Sequence, residues 1–333
     1  MNNHHRRIGI FYEHPEWFKP LFVELERRGI EFDPLRADEH QFDPRIRVPQ
    51  YGLLFNRMSP SAYTRGHAHA IFYALQYLAY LDSIGANVIN GYSAFRMETS
   101  KAGQLDLFEH LGLRYPRARV INHSLQAVSS ARDLTFPIVV KPNIGGSGAK
   151  IRRFDSLVEL EAVTAGEPLD LGIDQTALVQ EYLPARDGHI VRVEILNDEF
   201  LYAIKVYPKP EEGFNLCPAD ICHPANLVQP LSTEACPVDA APKLGLRVEA
   251  TMPPPQVIND VRRIMRAAQI DVGGVEYLVN DRDGQIYYYD VNALSNFVSD
   301  APNIIGFDPF PRLVDFVIER ANLLEPLAIQ VQS

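Results

Sequence analysis

Cysteine is scarce in this chain, and its distribution does not fit a framework of disulfides. The 333 residues include three cysteines, Cys217, Cys222 and Cys236, in a stretch that also contains His223. An odd and low number of cysteines argues against stabilisation by disulfides. These side chains are of the types that bind zinc, but the spacing of the first two is not that of a tight zinc knuckle. A structural zinc site and free thiols both remain open, with free thiols the simpler interpretation.

Long apolar runs and an excess of positive charge are also missing. The chain has no run of about 18 apolar residues, so we expect no transmembrane helix and no membrane partner. Its start lacks the long apolar stretch and the small-residue cleavage site of a signal peptide, so we expect a cytoplasmic protein. The formal net charge of −10 disfavours nucleic acid as a partner.

The composition, with 46% hydrophobic and 22% charged residues, is that of an ordinary globular protein. The chain is long enough for two or three subdomains. The first part alternates strands and helices, which is typical of a small parallel α/β unit. Apolar runs and helical spacing predict, in chain order, strand 8–12, helix 15–28, strand 51–55, helix 66–83 and strand 86–90. We place this N-terminal domain at residues 1–95.

Hairpin signals dominate the rest of the chain. The predicted elements are helix 100–111, strands 136–141 and 178–182, a hairpin of 189–196 with 200–206 around Asn197-Asp198, helix 256–268, and a hairpin of 274–280 with 285–291 around Asp283-Gly284. Residues 208–255 are rich in proline and have few periodic segments, so we interpret them as a long functional loop or a partly ordered excursion.

A glycine-rich loop follows the strand that ends at Lys141. The loop contains Gly145, Gly146, Ser147 and Gly148. Glycines let backbone N–H groups approach phosphate oxygens closely, and the lysine adds a positive charge. The Gly-Lys-Ser/Thr ending of a P-loop is absent. The pattern therefore indicates phosphate binding of another kind, although a flexible turn beside a surface lysine has the same appearance.

The last hairpin carries two carboxylates and an amide. Glu276 lies in its first strand, and Asp290 and Asn292 lie at the end of its second strand. Residues i and i+2 of a strand point to the same face, so Asp290 and Asn292 project together. Glu276 reaches the same face if the register allows. Hard oxygen ligands of this kind suit Mg²⁺ when phosphates and water complete the coordination.

Two further segments lie between these motifs. Gln180, Glu181, Tyr182 and Leu183 end a predicted strand. Alternation in the hairpin at 189–206 puts Arg192 and Glu194 on one face, with Lys205 on the partner strand as a second cation. The alternative is a set of solvated cross-strand pairs, the common fate of such side chains in a hairpin.

This ordered set of motifs resembles the ATP-grasp superfamily, and within it the RimK-type branch of glutamate ligase-like and glutathione synthetase-like carboxylate–amine ligases. The resemblance covers about residues 95–320. It implies two α+β subdomains with antiparallel sheets after the N-terminal α/β domain. We expect a central subdomain with the glycine-rich loop at 96–183 and a C-terminal subdomain with the metal site at 184–333.

The resemblance also implies roles for single residues. Lys141 and Arg192 would act on the transferred phosphate. The residues expected to bind ATP are Lys101, Lys141, Gly145, Gly146, Ser147, Gly148, Gln180, Glu181, Tyr182, Leu183, Lys205 and Asn215. Glu276, Asp290 and Asn292 would bind the metal, although the family usually has Asp first and Glu second. The segments at Asn56-Arg57 and at Ser295-Asn296 are candidates for substrate binding.

The implied activity is amide-bond formation through an acylphosphate, with ATP and Mg²⁺ as cofactors and Mn²⁺ as a substitute. The implied partners are a carboxylate and an amine, each a small molecule or a peptide, and a homo-oligomer is an option. Two alternatives stay open: another ATP-grasp enzyme that forms an acylphosphate, and an ATP-binding regulatory protein that keeps the fold without turnover.

Overall fold

The computed structural model describes residues 7–14, 16–146, 148–208 and 247–322. Ser147, Asn215, the three cysteines and His223 lie outside these residues. Within them the strands form three sheets, one parallel and two antiparallel. In the described part of the chain no helix is long and apolar enough to cross a membrane.

The N-terminal unit is a parallel sheet with the strand order β2-β1-β3-β4. Its elements are β1 (Ile8–Tyr12), α1 (Lys19–Arg27), β2 (Phe32–Arg36), β3 (Leu53–Arg57), α2 (Ala68–Ser83), β4 (Val88–Ile89) and α3 (Tyr92–Glu98). Strands β1 and β3 are buried along their whole length because helices cover both faces of the sheet. The helix predicted from residue 15 begins at Lys19, and β2 was not predicted.

The central unit is a four-stranded antiparallel sheet with the order β5-β8-β6-β7. After α4 (Lys101–His110) come β5 (Ala118–Ile121), α5 (Gln126–Ala131), β6 (Ile138–Pro142), β7 (Arg152–Phe154), α6 (Leu157–Gly166) and β8 (Ala177–Glu181). Helices α5 and α6 pack on one face of this sheet around Phe154 and Leu160, which are fully buried. The other face borders a cavity.

The C-terminal unit is a five-stranded antiparallel sheet with the order β11-β10-β9-β12-β13. Its elements are β9 (Ile190–Leu196), β10 (Glu199–Tyr207), β11 (Arg247–Thr251), α7 (Pro255–Ala268), β12 (Val272–Val279), β13 (Ile286–Asn292), α8 (Ala301–Ile305) and α9 (Phe310–Asn322). Helices α4 and α7 cover one face of the sheet. Strand β11 corrects the interpretation of residues 208–255 as a long loop and agrees with that of a partly ordered segment, because residues 247–251 pair with β10.

The C-terminal helix returns to the beginning of the chain. Helix α9 packs against α1 and β3 of the N-terminal unit, and Leu313 and Val314 join the same buried cluster as Ile10 and Leu25. The predicted fold class is confirmed, since a parallel α/β unit precedes two units with antiparallel sheets. The residue boundaries of the three domains stay a prediction.

Candidate active site

A cavity of about 670 Å³ lies where the three units meet. The N-terminal unit contributes the loops after β1 and β3, the central unit contributes β6, the glycine-rich loop and the end of β8, and the C-terminal unit contributes β9, β12 and β13. The polar residues that line it include Trp17, Ser59, Ser61, Glu98, Lys101, Lys141, Gln180, Glu181, Arg192, Glu194, Glu276, Asp290, Asn292 and Asn296. The cavity therefore brings most of the sequence-predicted site residues together.

Two lateral rows of residues cross β9, β12 and β13 on the face of the sheet that borders the cavity. In the first row Arg192, Glu276 and Asp290 are paired directly across the three strands. In the second row Glu194, Gly274 and Asn292 occupy the equivalent positions two residues away. The rows place Glu276 beside both Asp290 and Arg192, so that one cation and two adjacent carboxylates stand next to the cavity.

A β-bulge brings Glu276 and Asp290 to the same face. Near the turn Tyr277 pairs with Tyr288, whereas beyond the bulge Glu276 pairs with Asp290, so Tyr289 is the additional residue. Without the bulge Glu276 would pair with Tyr289, and the two carboxylates would lie on opposite faces. A bulge beside a site is a common way to redirect a side chain. The register that the sequence left open is thus fixed by this bulge.

The charged groups of the first row are linked by ion pairs. Asp290 forms an ion pair with Nζ of Lys101 at the start of α4. The Arg192 guanidinium lies 3.4 Å from Oε1 of Glu276 through Nη1 and 2.6 Å from Oε1 of Glu194 through Nε. Burial, and next the charge of Asp290, raise the pKa of Glu276 to about 7. Both effects favour the neutral acid, so a cation between the two carboxylates would relieve their repulsion.

Lys141 is the cation of the site without an ion-pair partner among the described residues. It ends β6 and its exposed fraction is 6%. Burial, and next the positive charge of Lys101, lower the pKa of Lys141 to about 7. A buried lysine of this kind gains most from an anion that enters the cavity, because the anion favours its charged form.

The glycine-rich loop leaves β6 beside this lysine and approaches the N-terminal unit. Gly145, Gly146 and Gly148 line the cavity. A Cβ atom at Gly146 would lie 2.8 Å from Cβ of Ser61, so the loop could not pack there with any larger residue. At the other side, Nδ2 of Asn143 donates to Asp174 over 2.7 Å and Oδ1 accepts from the backbone N–H of Ala102 over 2.9 Å. The loop is thereby anchored to the start of α4.

The end of β8 forms another wall of the cavity. Gln180, Glu181, Tyr182 and Leu183 all line it. The carboxylate of Glu181 accepts a hydrogen bond of 2.8 Å from the backbone N–H of Thr135, which holds it in the central unit. Oε1 of Gln180 is buried without a hydrogen-bond partner in the described part of the chain. This wall thus offers a polar acceptor next to the apolar side chain of Leu183.

The structure contradicts the predicted neighbourhood of Lys205. Lys205 pairs with Val191 and Glu249, whereas Arg192 pairs with Ile204. Lys205 therefore lies on the face of the sheet opposite Arg192 and does not line the cavity. The cause is a bulge at Leu201, which shifts the register between the turn and Lys205 by one residue.

Three of the four candidate substrate residues lie outside the cavity, and their role in substrate binding stays a prediction. Asn56, Arg57 and Ser295 do not line the cavity. The amide of Asn56 is used by backbone groups of Asn90 and Met58, and Arg57 is buried, with Nη2 on the carbonyl of Ser295. These side chains connect the N-terminal unit to the segment after β13. Asn296 is the one of the four that lines the cavity.

Several residues that line the cavity were not predicted from the sequence. Glu98 accepts hydrogen bonds from the backbone N–H groups of Ala293 and Leu294, and burial raises its pKa to about 7. Trp17 lines the cavity from the N-terminal unit with Nε1 buried and unpaired within the described residues. Glu98 could have been found from the sequence, because it is a carboxylate three residues before the predicted ATP-binding Lys101. Trp17 could not have been found in this way, because its helical spacing predicts a core residue.

No family model matches the sequence, and no curated protein matches it. Solved structures do. The ATP-grasp ligase PsnB, in complex with a minimal precursor, Mg and ADP, is 15% identical with a TM-score of 0.62, covering 96% of this chain and 99% of PsnB. The D-cycloserine synthetase DcsG is 14% identical with a TM-score of 0.64, covering 95% and 99%.

A RimK domain protein from Sphaerobacter thermophilus, also described as ATP-grasp, is 16% identical with a TM-score of 0.62, covering 94% of this chain and 99% of that protein. Each likeness extends over nearly the whole of both chains, although the sequences share few identical residues. The resemblance inferred from the order of the motifs is confirmed at the level of the fold: this chain has the fold of the ATP-grasp ligases.

Proposed function

We propose that this protein is a ligase that uses ATP and Mg²⁺ to join a carboxylate to an amine through an acylphosphate. The observation that carries the proposal is the row Arg192–Glu276–Asp290, which faces a cavity that also contains Lys101 and Lys141. Anionic and cationic groups thus lie side by side, as is needed to hold a polyphosphate together with a divalent cation. The ATP-grasp fold supports the same conclusion.

The residues present fit Mg²⁺. Among the described residues no group of three His, Cys, Asp or Glu side chains could hold a metal ion alone. Mg²⁺ usually needs only one or two carboxylates when substrate phosphates and water supply the other ligands. Glu276, Asp290 and the amide oxygen of Asn292 would hold it. Nδ2 of Asn292 is buried without a partner in the described part, and as a donor it suits a phosphate oxygen beside the ion. When bound, Mg²⁺ would neutralise charge on the phosphate oxygens of the nucleotide.

The other residues of the cavity are assigned by their charge and position. Lys141 and Arg192 would bind the phosphate group that is transferred, and Lys101 would bind the neighbouring phosphates. Backbone N–H groups of Gly145, Gly146 and Gly148 would cover the phosphates, as glycine-rich loops do. Residues 180–183 would contact the adenosine part. Since positioning and electrostatics account for most of the catalysis of phosphoryl transfer, no protein nucleophile is needed.

The reaction would proceed in two steps. An oxygen of the substrate carboxylate attacks the γ-phosphorus of ATP, the bond to the bridging oxygen breaks, and acylphosphate and ADP form. The neutral amine then attacks the acyl carbon, the bond to the phosphate oxygen breaks, and amide, inorganic phosphate and a proton are released. The cations of the cavity stabilise the charge that develops on the phosphate group in both steps.

The direct test is release of ADP and phosphate with Mg²⁺ over a panel of amino acids, dicarboxylates and short peptides. The peptides are included because PsnB was solved with a minimal precursor. A ligase requires that a carboxylate and an amine together raise the rate of ADP release. Binding of ATP without ADP release throughout the panel would instead favour the regulatory alternative.

Lys141 provides a prediction about protons. In the free protein burial lowers its pKa to about 7, so near pH 8 most of the lysine is neutral. Phosphate oxygens beside Nζ favour the charged form and raise the pKa again. Binding of Mg²⁺ and a non-hydrolysable analogue of ATP, which keeps the γ-phosphate, should therefore draw in about one proton at Lys141 near pH 8, and far less near pH 6. Calorimetric titration in buffers of different ionisation enthalpy measures this uptake.

The matched control is Lys141→Arg, because a guanidinium stays protonated throughout this pH range. Burial raises the pKa values of Glu98 and Glu276 to about 7, so these groups also contribute to the proton uptake. The difference in proton uptake between wild type and Lys141→Arg gives the contribution of the lysine. Equal proton uptake by both proteins would contradict the assignment of Lys141 to the phosphates.

A further inference from the structure

Glu194 is a buried carboxylate of which only one oxygen is used. It lies on β9 two residues after Arg192, lines the cavity, and has an exposed fraction of 1%. Its Oε1 accepts a hydrogen bond of 2.6 Å from Nε of Arg192. Its Oε2 is buried and has no hydrogen-bond partner in the described part of the chain. An unsatisfied carboxylate oxygen at this depth is costly, so it implies a donor that enters from the cavity.

The carboxylate of Glu194 faces a strand position that has no side chain. The cross-strand neighbour in the second row is Gly274, and beyond it lies Asn292. A Cβ atom at position 274 would lie 2.8 Å from Oε1 of Glu194, so the carboxylate extends over a glycine that has no side chain to meet it. The position is also one row away from Arg192, Glu276 and Asp290, where the proposed phosphate transfer occurs.

The charges around Glu194 limit what this donor can be. The Arg192 guanidinium is bonded to Oε1, and the charge of Glu194 also stabilises the buried Arg57 guanidinium. A divalent cation would be repelled by two guanidinium groups, at twice the cost of a single positive charge. A hydroxyl or amide N–H would satisfy Oε2, but an ammonium adds the attraction between opposite charges to the hydrogen bond.

We propose that Oε2 of Glu194 binds the ammonium group of the acceptor, so that the second substrate is a primary amine that arrives with a positive charge. The inference rests on the proposed ligase function and adds the class of acceptor and the residue that selects it. Glu194 orients the nitrogen beside the row where the acyl group is activated, which Arg192 alone cannot do because it is itself a cation. The bound ammonium passes one proton to the Glu194 carboxylate, and the neutral amine that results is the nucleophile of the second step.

The test compares acceptors in wild type and in Glu194→Gln, which keeps an oxygen for the bond from Arg192 and removes the charge. With the carboxylate and the amine that give the fastest ADP release in the panel, kcat/KM for the amine should fall about thirtyfold, the effect of losing a charge-assisted hydrogen bond. With hydroxylamine, which is uncharged near neutral pH, hydroxamate formation should stay within about threefold of wild type. Glu199→Gln, an exposed position at the start of β10, is the control for charge in the same hairpin.

Each other outcome overturns the assignment. Equal losses with the amine and with hydroxylamine would show that Glu194 acts only by holding Arg192. No loss with either acceptor would show that the carboxylate does not contact the substrate. If wild type releases no ADP with any carboxylate of the panel, the proposed ligase function itself fails. This result differs from failure of the Glu194 assignment alone, because wild type then forms no hydroxamate either.

Discussion

Asp290→Asn is expected to lower the rate of ADP formation on the order of a thousandfold, the upper range for loss of one electrostatic contact to the reacting group. Asp290 is central to the site because it combines three relations. It forms the ion pair with Lys101, it is the cross-strand neighbour of Glu276, and it lies two residues before Asn292 on the same face. Removing its charge weakens the binding of a cation and leaves Lys101 without its partner.

The same substitution should change the stability of the fold little. Lys101 loses an ion pair between side chains that are 15% and 21% exposed, which is partly screened by solvent. In compensation, Glu276 is freed from a neighbouring like charge that raises its pKa. We therefore expect a melting temperature within about 3 °C of wild type.

The matched control is Asp281→Asn in the turn of the same hairpin. Asp281 is 65% exposed and lies 3.6 Å from Arg186, so its surface ion pair contributes little. ADP release by Asp281→Asn should equal that of wild type. Full turnover by Asp290→Asn at saturating Mg²⁺ would contradict both the assignment of the metal and the choice of the hairpin as the catalytic element.

Much of the site was predictable because turns and helix caps are encoded by a few neighbouring residues. The turns at Asn197-Asp198 and Asp283-Gly284 set the two hairpins, and Ser100 caps the helix that carries Lys101, with Oγ accepting from the N–H of Gly103 over 3.0 Å. The two bulges were not predictable, because an additional residue in a strand has no fixed sequence pattern. One of them brought Glu276 to Asp290 as the site requires, and the other moved Lys205 away from Arg192.

The contacts between the units were least accessible from the sequence. Arg57 was a candidate for substrate binding at the end of a strand, but it is buried between Phe18 and Phe55. Its Nη2 donates to the carbonyl of Ser295, 238 positions away. Strands β5 and β7 contain arginines at the edges of their sheet and show no clean alternation. Their presence depends on pairing with β8 and β6, which no local pattern encodes.

Asn90→Ala should destabilise the protein by about 4 kcal/mol, because several buried hydrogen bonds are lost together. Asn90 follows β4 and its exposed fraction is 1%. Its Nδ2 donates to the carbonyl of Val272 over 2.6 Å and to the carbonyl of Ala293. Its Oδ1 accepts from the backbone N–H groups of Asp271 and Val272. One side chain thus ties the N-terminal unit to the start of β12 and to the segment after β13. Equilibrium unfolding in urea measures the loss.

Part of this effect comes from the backbone, and a second variant separates it. Asn90 has a φ of 52°, in the left-handed region that asparagine tolerates and alanine does not. Asn90→Gly loses the same hydrogen bonds without this strain, so it should be more stable than Asn90→Ala by about 1 kcal/mol. A free energy of unfolding for Asn90→Ala within about 1 kcal/mol of wild type would contradict this role for Asn90. Because residues 293 and 294 also bind Glu98, loosening this connection should weaken nucleotide binding as well as the fold.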